Sequence, residues 1–102
     1  MEKEFPKLIL LDWQKDDDWL IRSKGWFDHN LVELENGNRY QVCFLDSVRL
    51  VQHLDGNTKN GQPFFIENNL IVLSEVTIEN MQKAIAEAEK QGFFENLKPV
   101  SL

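Results

Sequence analysis

The sequence predicts an α+β fold: a mostly antiparallel sheet of about five strands, a short middle helix, and one long C-terminal helix packed on one face. Three observations carry that prediction. Residues 77–91 hold an apolar stripe at helical spacing between two capping residues. Residues 32–44 read as two alternating apolar and polar arms around Asn36-Gly37-Asn38. The 102 residues, 42% of them apolar and with three Trp and seven Phe, suit a single domain (1–102) with a true core.

From the N-terminus, Lys7-Leu8-Ile9-Leu10-Leu11-Asp12-Trp13 reads as a first strand, apolar enough to be buried on both faces. Gln14 to Asp18 is a polar turn, and residues 19–23 form a short second strand. Lys24-Gly25 breaks the pattern and Trp26-Phe27 resumes it. For the hairpin, a loop of Asn36-Gly37-Asn38 sets Glu35 against Arg39, Leu34 against Tyr40, Glu33 against Gln41 and Val32 against Val42. Every pair then matches in polarity and one is a charge pair. A two-residue Asn-Gly loop mismatches both apolar positions, so the longer loop is preferred, with Asn38 left-handed. The core face becomes Val32, Leu34, Tyr40, Val42 and Phe44.

Asp46 is placed to cap a short helix over 47–54, with Val48, Leu50, Val51 and Leu54 inward, although a strand also fits part of residues 48–54. Residues 55–62 are a loop by composition. A second hairpin follows, with arms 63–66 and 70–73 around Glu67-Asn68-Asn69 and apolar residues on both faces. In the last helix Thr77 is the N-cap, and Glu79 lies where the helix dipole favours an anion. Ile78, Met81, Ala84, Ile85 and Ala88 form the inner stripe, Glu79 and Lys83 pair at four-residue spacing, and Gly92 ends the helix.

From about residue 40 onward several features run together. They are Phe44-Leu45-Asp46, Val48-Arg49-Leu50 with Gln52 and Leu54, Phe64-Phe65, Leu70-Ile71-Val72, Val76-Thr77 with Asn80, and Gly92-Phe93-Phe94. This half of the chain resembles small, uncharacterised bacterial single-domain proteins. The resemblance implies a fold and brings no activity, ligand or catalytic residue, because the matching positions are mostly core and cap residues.

The net charge of −6 disfavours phosphate-backbone binding, so no nucleic-acid partner is expected, and it permits steering of a basic protein. No apolar run approaches the roughly 20 residues of a membrane span, and the N-terminus lacks a signal-peptide pattern, so a cytoplasmic setting without membrane contact is the expectation. The sequence predicts no catalytic, cofactor or metal residues. Cys43 is the only cysteine, and neither His29 nor His53 has a spacing that points at it. The 55–61 loop fails as a calcium loop, since Lys59 takes a ligand position, Asn60 replaces the required Gly and Ile66 replaces the bidentate Glu. Asp16, Asp17 and Asp18 read as a solvated turn, and Arg49 as the partner of a local acid.

The surface candidates are Trp13, Trp19, Trp26 and Phe27, interleaved with Asp16, Asp17 and Asp18. So many aromatics are hard to hide in a small domain, and Trp is favoured at interface anchors. A non-catalytic protein-binding module is therefore the leading expectation: a small acidic regulatory or toxin-neutralising partner of a basic protein. A small-molecule site or enzyme, in a pocket between sheet and helix with Tyr40, Cys43, Arg49 or His53, is one alternative. A homo-oligomeric structural domain paired through a strand edge or the Trp cluster is the other.

Overall fold

The computed structural model describes residues 5–11 and 17–100. In chain order the elements are β1 (Lys7–Leu10), α1 (Asp17–Lys24), β2 (Trp26–Phe27), β3 (Asn30–Glu33), β4 (Arg39–Tyr40), β5 (Cys43–Asp46), α2 (Ser47–Lys59), β6 (Leu70–Leu73), α3 (Ile78–Lys90) and a 3-10 turn, Phe93–Asn96. The fold is α+β with two three-stranded sheets, ordered β1-β3-β4 and β2-β5-β6. One sheet of about five strands is not what forms.

The reason lies in the central hairpin, residues 26–46. Its first arm is β2 then β3, and its second is β4 then β5, so each arm passes from one sheet into the other. Val32 pairs with Tyr40 in one sheet, and Phe27 with Phe44 in the other. Between those pairs the first arm has one residue more than the second, which is the count of a β-bulge. The extra residue bends the ribbon and reverses which side chains face inward. Val32 and Phe27 are an odd number of positions apart, yet both reach the core.

Asn30 sits at the bend and is fully buried, at 0% exposure. It stands opposite Val42, in the register set by Val32 and Tyr40. The two backbones have parted there. The Asn30 carboxamide bridges them: its Nδ2 donates to the Val42 carbonyl at 2.8 Å, and its Oδ1 accepts from the Val42 N–H at 3.3 Å. Gln41 acts reciprocally from the other arm, donating from Nε2 to the Asp28 carbonyl at 2.7 Å.

The hairpin core face agrees with expectation: Val32, Tyr40, Val42 and Phe44 are buried, with Leu34 packed against them. The register does not. The loop is Glu35-Asn36-Gly37, with Gly37 left-handed at φ 91° and its N–H bonded to the Leu34 carbonyl. A type I turn followed by a left-handed Gly is the better three-residue solution. Moving the loop by one residue moves the pairing by two. The charge pair therefore survives with a different partner, Glu33 Oε1 to Arg39 Nε at 2.8 Å.

Four other expectations are corrected. Of the expected strand 7–13, Lys7–Leu10 form β1, an edge strand whose apolar residues are only half-buried, Leu11 lies in a turn, and residues 12 and 13 lie outside the described residues. Residues 19–23 are helical, within α1, because Gly25 supplies a left-handed stop (φ 76°) whose N–H reaches the Ile21 carbonyl. The 63–66 and 70–73 hairpin does not form. Pro63 to Ile66 is irregular, and β6 joins β5 in parallel after the α2 crossover. Asn69, expected to turn that hairpin, docks β6 instead. Its Nδ2 donates to the Gln41 carbonyl and to Gln41 Oε1, and its own carbonyl accepts from Cys43 N–H.

The helices also redistribute. Asp46 caps α2 as expected, accepting from the Arg49 N–H at 2.8 Å. The helix then continues through the expected loop to Lys59, where the Thr58 hydroxyl donates to the Leu54 carbonyl and Asn57 Nδ2 to the Phe64 carbonyl. Leu50 and Leu54 are half-buried, whereas Val48 and Val51 face solvent rather than the interior. α2 and α3 are both 13 residues, so a short middle helix and one long terminal helix do not describe the chain. α3 takes its N-cap from Thr77 and lays Met81, Ile85 and Ala88 on the core, touching β1 of one sheet and β6 of the other. The 3-10 turn then folds Phe94 inward, its ring 5.3 Å from Tyr40.

Replacing Asn30 tests the bend. Asn30→Ala strands the buried Val42 N–H and C=O, and equilibrium urea unfolding is expected to lose about 2–4 kcal/mol. A loss comparable to that of an exposed alanine substitution would contradict the bridging role. Asn30→Asp is expected to regain stability on acidification, because a protonated carboxyl restores one donor and one acceptor.

Candidate functional site

An α-helix that buries only one side chain has apolar residues left over, and α1 is such a helix. Among its residues with described side chains, Ile21 alone enters the core. Trp19 is 61% exposed and Leu20 is 40% exposed. After the Gly25 turn, β2 offers Trp26 at 38% exposure and turns Phe27 into the core. Strand alternation explains that split. The Lys24 ammonium lies 5.9 Å from the Trp26 ring centroid, a cation–π contact.

Of the surface candidates, Trp19 and Trp26 are exposed, and Phe27 is corrected to a core residue. Asp17 and Asp18 are the first two residues of α1, Trp19 and Trp26 are displayed on either side of one turn, and Phe27 is structural. Trp13 and Asp16 lie outside the described residues.

What holds this unit was not visible in sequence. The Arg49 guanidinium reaches back from α2 and donates from Nε (3.1 Å) and Nη2 (2.8 Å) to the Lys24 carbonyl, closing the C-terminus of α1. Asp46, besides capping α2, packs its carboxylate on Gly25, and its N–H donates to the Gly25 carbonyl at 2.9 Å. A Cβ on Gly25 would lie 2.6 Å from Asp46 Oδ2. The sequence places Asp46 as the cap of the following helix and Arg49 as the partner of a local acid; the cap forms, and Arg49 instead takes a backbone carbonyl twenty-five residues away, for which no local pattern is a signal.

The residues proposed for a small-molecule pocket are engaged separately. Tyr40 floors an open cleft of about 390 Å³ with Leu34, Asn36, Glu89, Gly92, Phe94 and Glu95. Arg49 is committed to the Lys24 carbonyl, and His53 packs against Phe65 with ring centroids 5.5 Å apart and the planes tilted. Cys43 is half-buried, and its thiol is pushed above the ordinary value by desolvation first, then by the charges of Asp28 and Glu67. That shift opposes thiolate formation, the reverse of what a nucleophile requires. Among the described residues no three His, Cys, Asp or Glu side chains are grouped to hold a metal ion, and no helix is long and apolar enough to cross a membrane. No protein-family model, curated protein or solved structure matches the chain.

Two predictions follow from this geometry. Gly25→Ala combines a left-handed backbone with a collision against the Asp46 carboxylate, and is expected to cost about 2–4 kcal/mol in thermal or urea unfolding. Gly37, with nothing within 4 Å of its Cβ position, isolates the backbone component alone, so Gly37→Ala should cost less. For Cys43, the raised folded value means that protonation favours the native state. Its contribution is present below the unfolded thiol value and is lost as pH rises through the folded one. Stability should fall more steeply across that alkaline window in wild type than in Cys43→Ala. Iodoacetamide should label the folded thiol more slowly than the urea-unfolded one at any pH in the window.

Proposed function

We propose that this chain is a non-catalytic protein-binding module that presents Trp19 and Trp26 to a partner with a basic surface. The observation that carries the proposal is the exposure of both indoles on a unit whose core anchors are Ile21 and Phe27. Large amphipathic rings in solvent are the usual anchors of an interface, and they lose little conformational freedom on binding. Their mounting supports the reading. Arg49 and Asp46 bind the α1–β2 turn to α2, so the display is held in place before a partner arrives.

Charge names the partner's character. The protein carries −6 overall, and Asp17 and Asp18 open the helix that bears Trp19. A basic partner would be steered to a protein of this charge, faster at low salt than at high. A small acidic regulatory or toxin-neutralising protein has these properties. The groups named for catalysis argue less for an enzyme: Arg49 is tied to a backbone carbonyl, and Cys43 favours its neutral form.

Affinity capture with immobilised wild type, beside the double variant Trp19→Ala/Trp26→Ala, tests the proposal in extracts of the native host. Wild type should retain a basic protein in a salt-sensitive manner. The double variant should retain about a hundred-fold less, the loss expected of two anchor residues, with its urea midpoint little changed. Equal retention by the two, or capture of an acidic protein only, would refute it.

A further inference from the structure

We propose a second docking surface: the open edge of β6 and the groove beside it accept an extended segment of a partner protein, with a short apolar centre and basic residues at both ends. The segment adds to the β2-β5-β6 sheet as a new edge strand. This surface is on the sheet edge opposite Trp26, so the inference stands apart from the reading above.

The backbone phase comes first. β6 runs parallel to β5, and the Cys43 N–H donates to the Asn69 carbonyl. In a parallel ladder that bond puts the peptide groups of Asn69, Ile71 and Leu73 toward β5. It leaves the N–H and C=O of Leu70 and Val72 pointing away. Among the described residues β6 has β5 as its neighbour in the sheet and no strand beyond it. Edge strands are normally guarded by Lys, Pro or a bulge, and Leu70-Ile71-Val72-Leu73 has none of these. Val72 is 46% exposed and, on the connection leading into β6, Ile66 is 81% exposed.

The side-chain surface has matching chemistry. Between β6 and α3 lies a groove of about 300 Å³. Leu70, Ile71, Ala84, Ala88 and Phe93 make it apolar, and Glu87 stands at its rim. Ala84 and Ala88 are small, which leaves room for a partner's side chain between helix and strand. Glu67 precedes β6 and Glu75 follows it, both exposed. A strand laid along this edge therefore meets four apolar residues with a carboxylate beyond each end. No cationic side chain lines the groove, and Lys83 on the outer face of α3 is already paired with Glu79. The same carboxylates argue against a second copy as the occupant, because two-fold pairing would bring two sets of them together on chains of charge −6.

The probe is a fluorescent peptide, Lys-Lys-Val-Thr-Val-Lys-Lys, with Glu-Glu-Val-Thr-Val-Glu-Glu as control, read by fluorescence anisotropy and by amide NMR shifts of the full chain. The basic peptide should bind, with shifts confined to Leu70–Leu73 and to the Ala84–Phe93 side of α3, and the acidic one should bind far more weakly. Val72→Pro removes an outward N–H without touching the β5 ladder and should weaken binding about ten-fold. Glu67→Lys/Glu75→Lys, at exposed positions, should invert the preference between the two peptides, and it tests the charge argument even if Val72→Pro disturbs the strand. Absence of binding, shifts located elsewhere, or unchanged preference in the charge-reversed variant would overturn the proposal. So would a concentration-dependent dimer abolished by Val72→Pro, which would give the edge to a second copy.

Discussion

Where the two arms of the central hairpin part, the buried Asn30 carboxamide stands in for a length of backbone. It offers Val42 one acceptor and one donor, the complement that an opposing peptide group would have supplied. Without it, a bulged ribbon would leave polar backbone groups stranded in the core, each costing about 1–3 kcal/mol. With it, the ribbon bends, and one hairpin contributes strands to two sheets. The parity change at the bulge then lets Phe27 and Val32 both face inward, so a continuous core forms under α3 from both sheets. Gln41 extends the same device. It satisfies Asp28 on one side and receives Asn69 on the other, which is how the start of β6 finds β5.

Much of this was legible where a residue's role depends on neighbours a few positions away. Asp46 and Thr77 act as N-caps, and the stripe of Met81, Ile85 and Ala88 is buried, because helix caps and periodicity are local rules. The inward face of the hairpin was legible for the same reason. Its register was not: a loop placed one residue away preserves polarity matching, and only the left-handed preference of Gly37 over Asn38 separates the two solutions. The bulge was hidden because its sign in the sequence is a lone Asn at the head of an apolar run, Asn30-Leu31-Val32, with its partner twelve residues away. For α1, the few residues between breakers fit alternation and helix equally, and the groups that pack on its Gly25 stop and close its last carbonyl, Asp46 and Arg49, are distant in sequence. Parallel pairing of β6 was illegible because the same apolar tetrapeptide serves either direction of pairing.

The two 13-residue helices show how burial divides the molecule. α3 closes the core with three buried side chains, and α2 has none. α2 covers its side of the sheet with Leu50 and Leu54 at half burial, and leaves Val48 and Val51 to solvent. Apolar exposure accordingly collects away from α3's inner face: at Trp26 on one sheet edge, at Val72 on the other, and along Phe64 and Ile66. Scattered exposed apolar residues require no explanation, but Trp26 and Val72 sit at sheet edges, where unpaired backbone and apolar side chains coincide.

The contact at Gly25 supports the same division. Gly25 is held left-handed against the Asp46 carboxylate, and that contact ties the end of α1 to the start of α2. Nothing in the core requires α1 to be so firmly anchored, since Ile21 is its one described contribution there. A helix with a single core residue would fray readily if its C-terminal carbonyl were left to solvent. The Arg49 fork on the Lys24 carbonyl prevents that, and it does so from a helix that itself contributes no fully buried residue. The interactions of α2 thus go into orienting α1 and into roofing the sheet. Under the binding role proposed for Trp19 and Trp26, this anchoring of the backbone between them would lower the entropy lost on docking, the condition under which a small interface binds tightly.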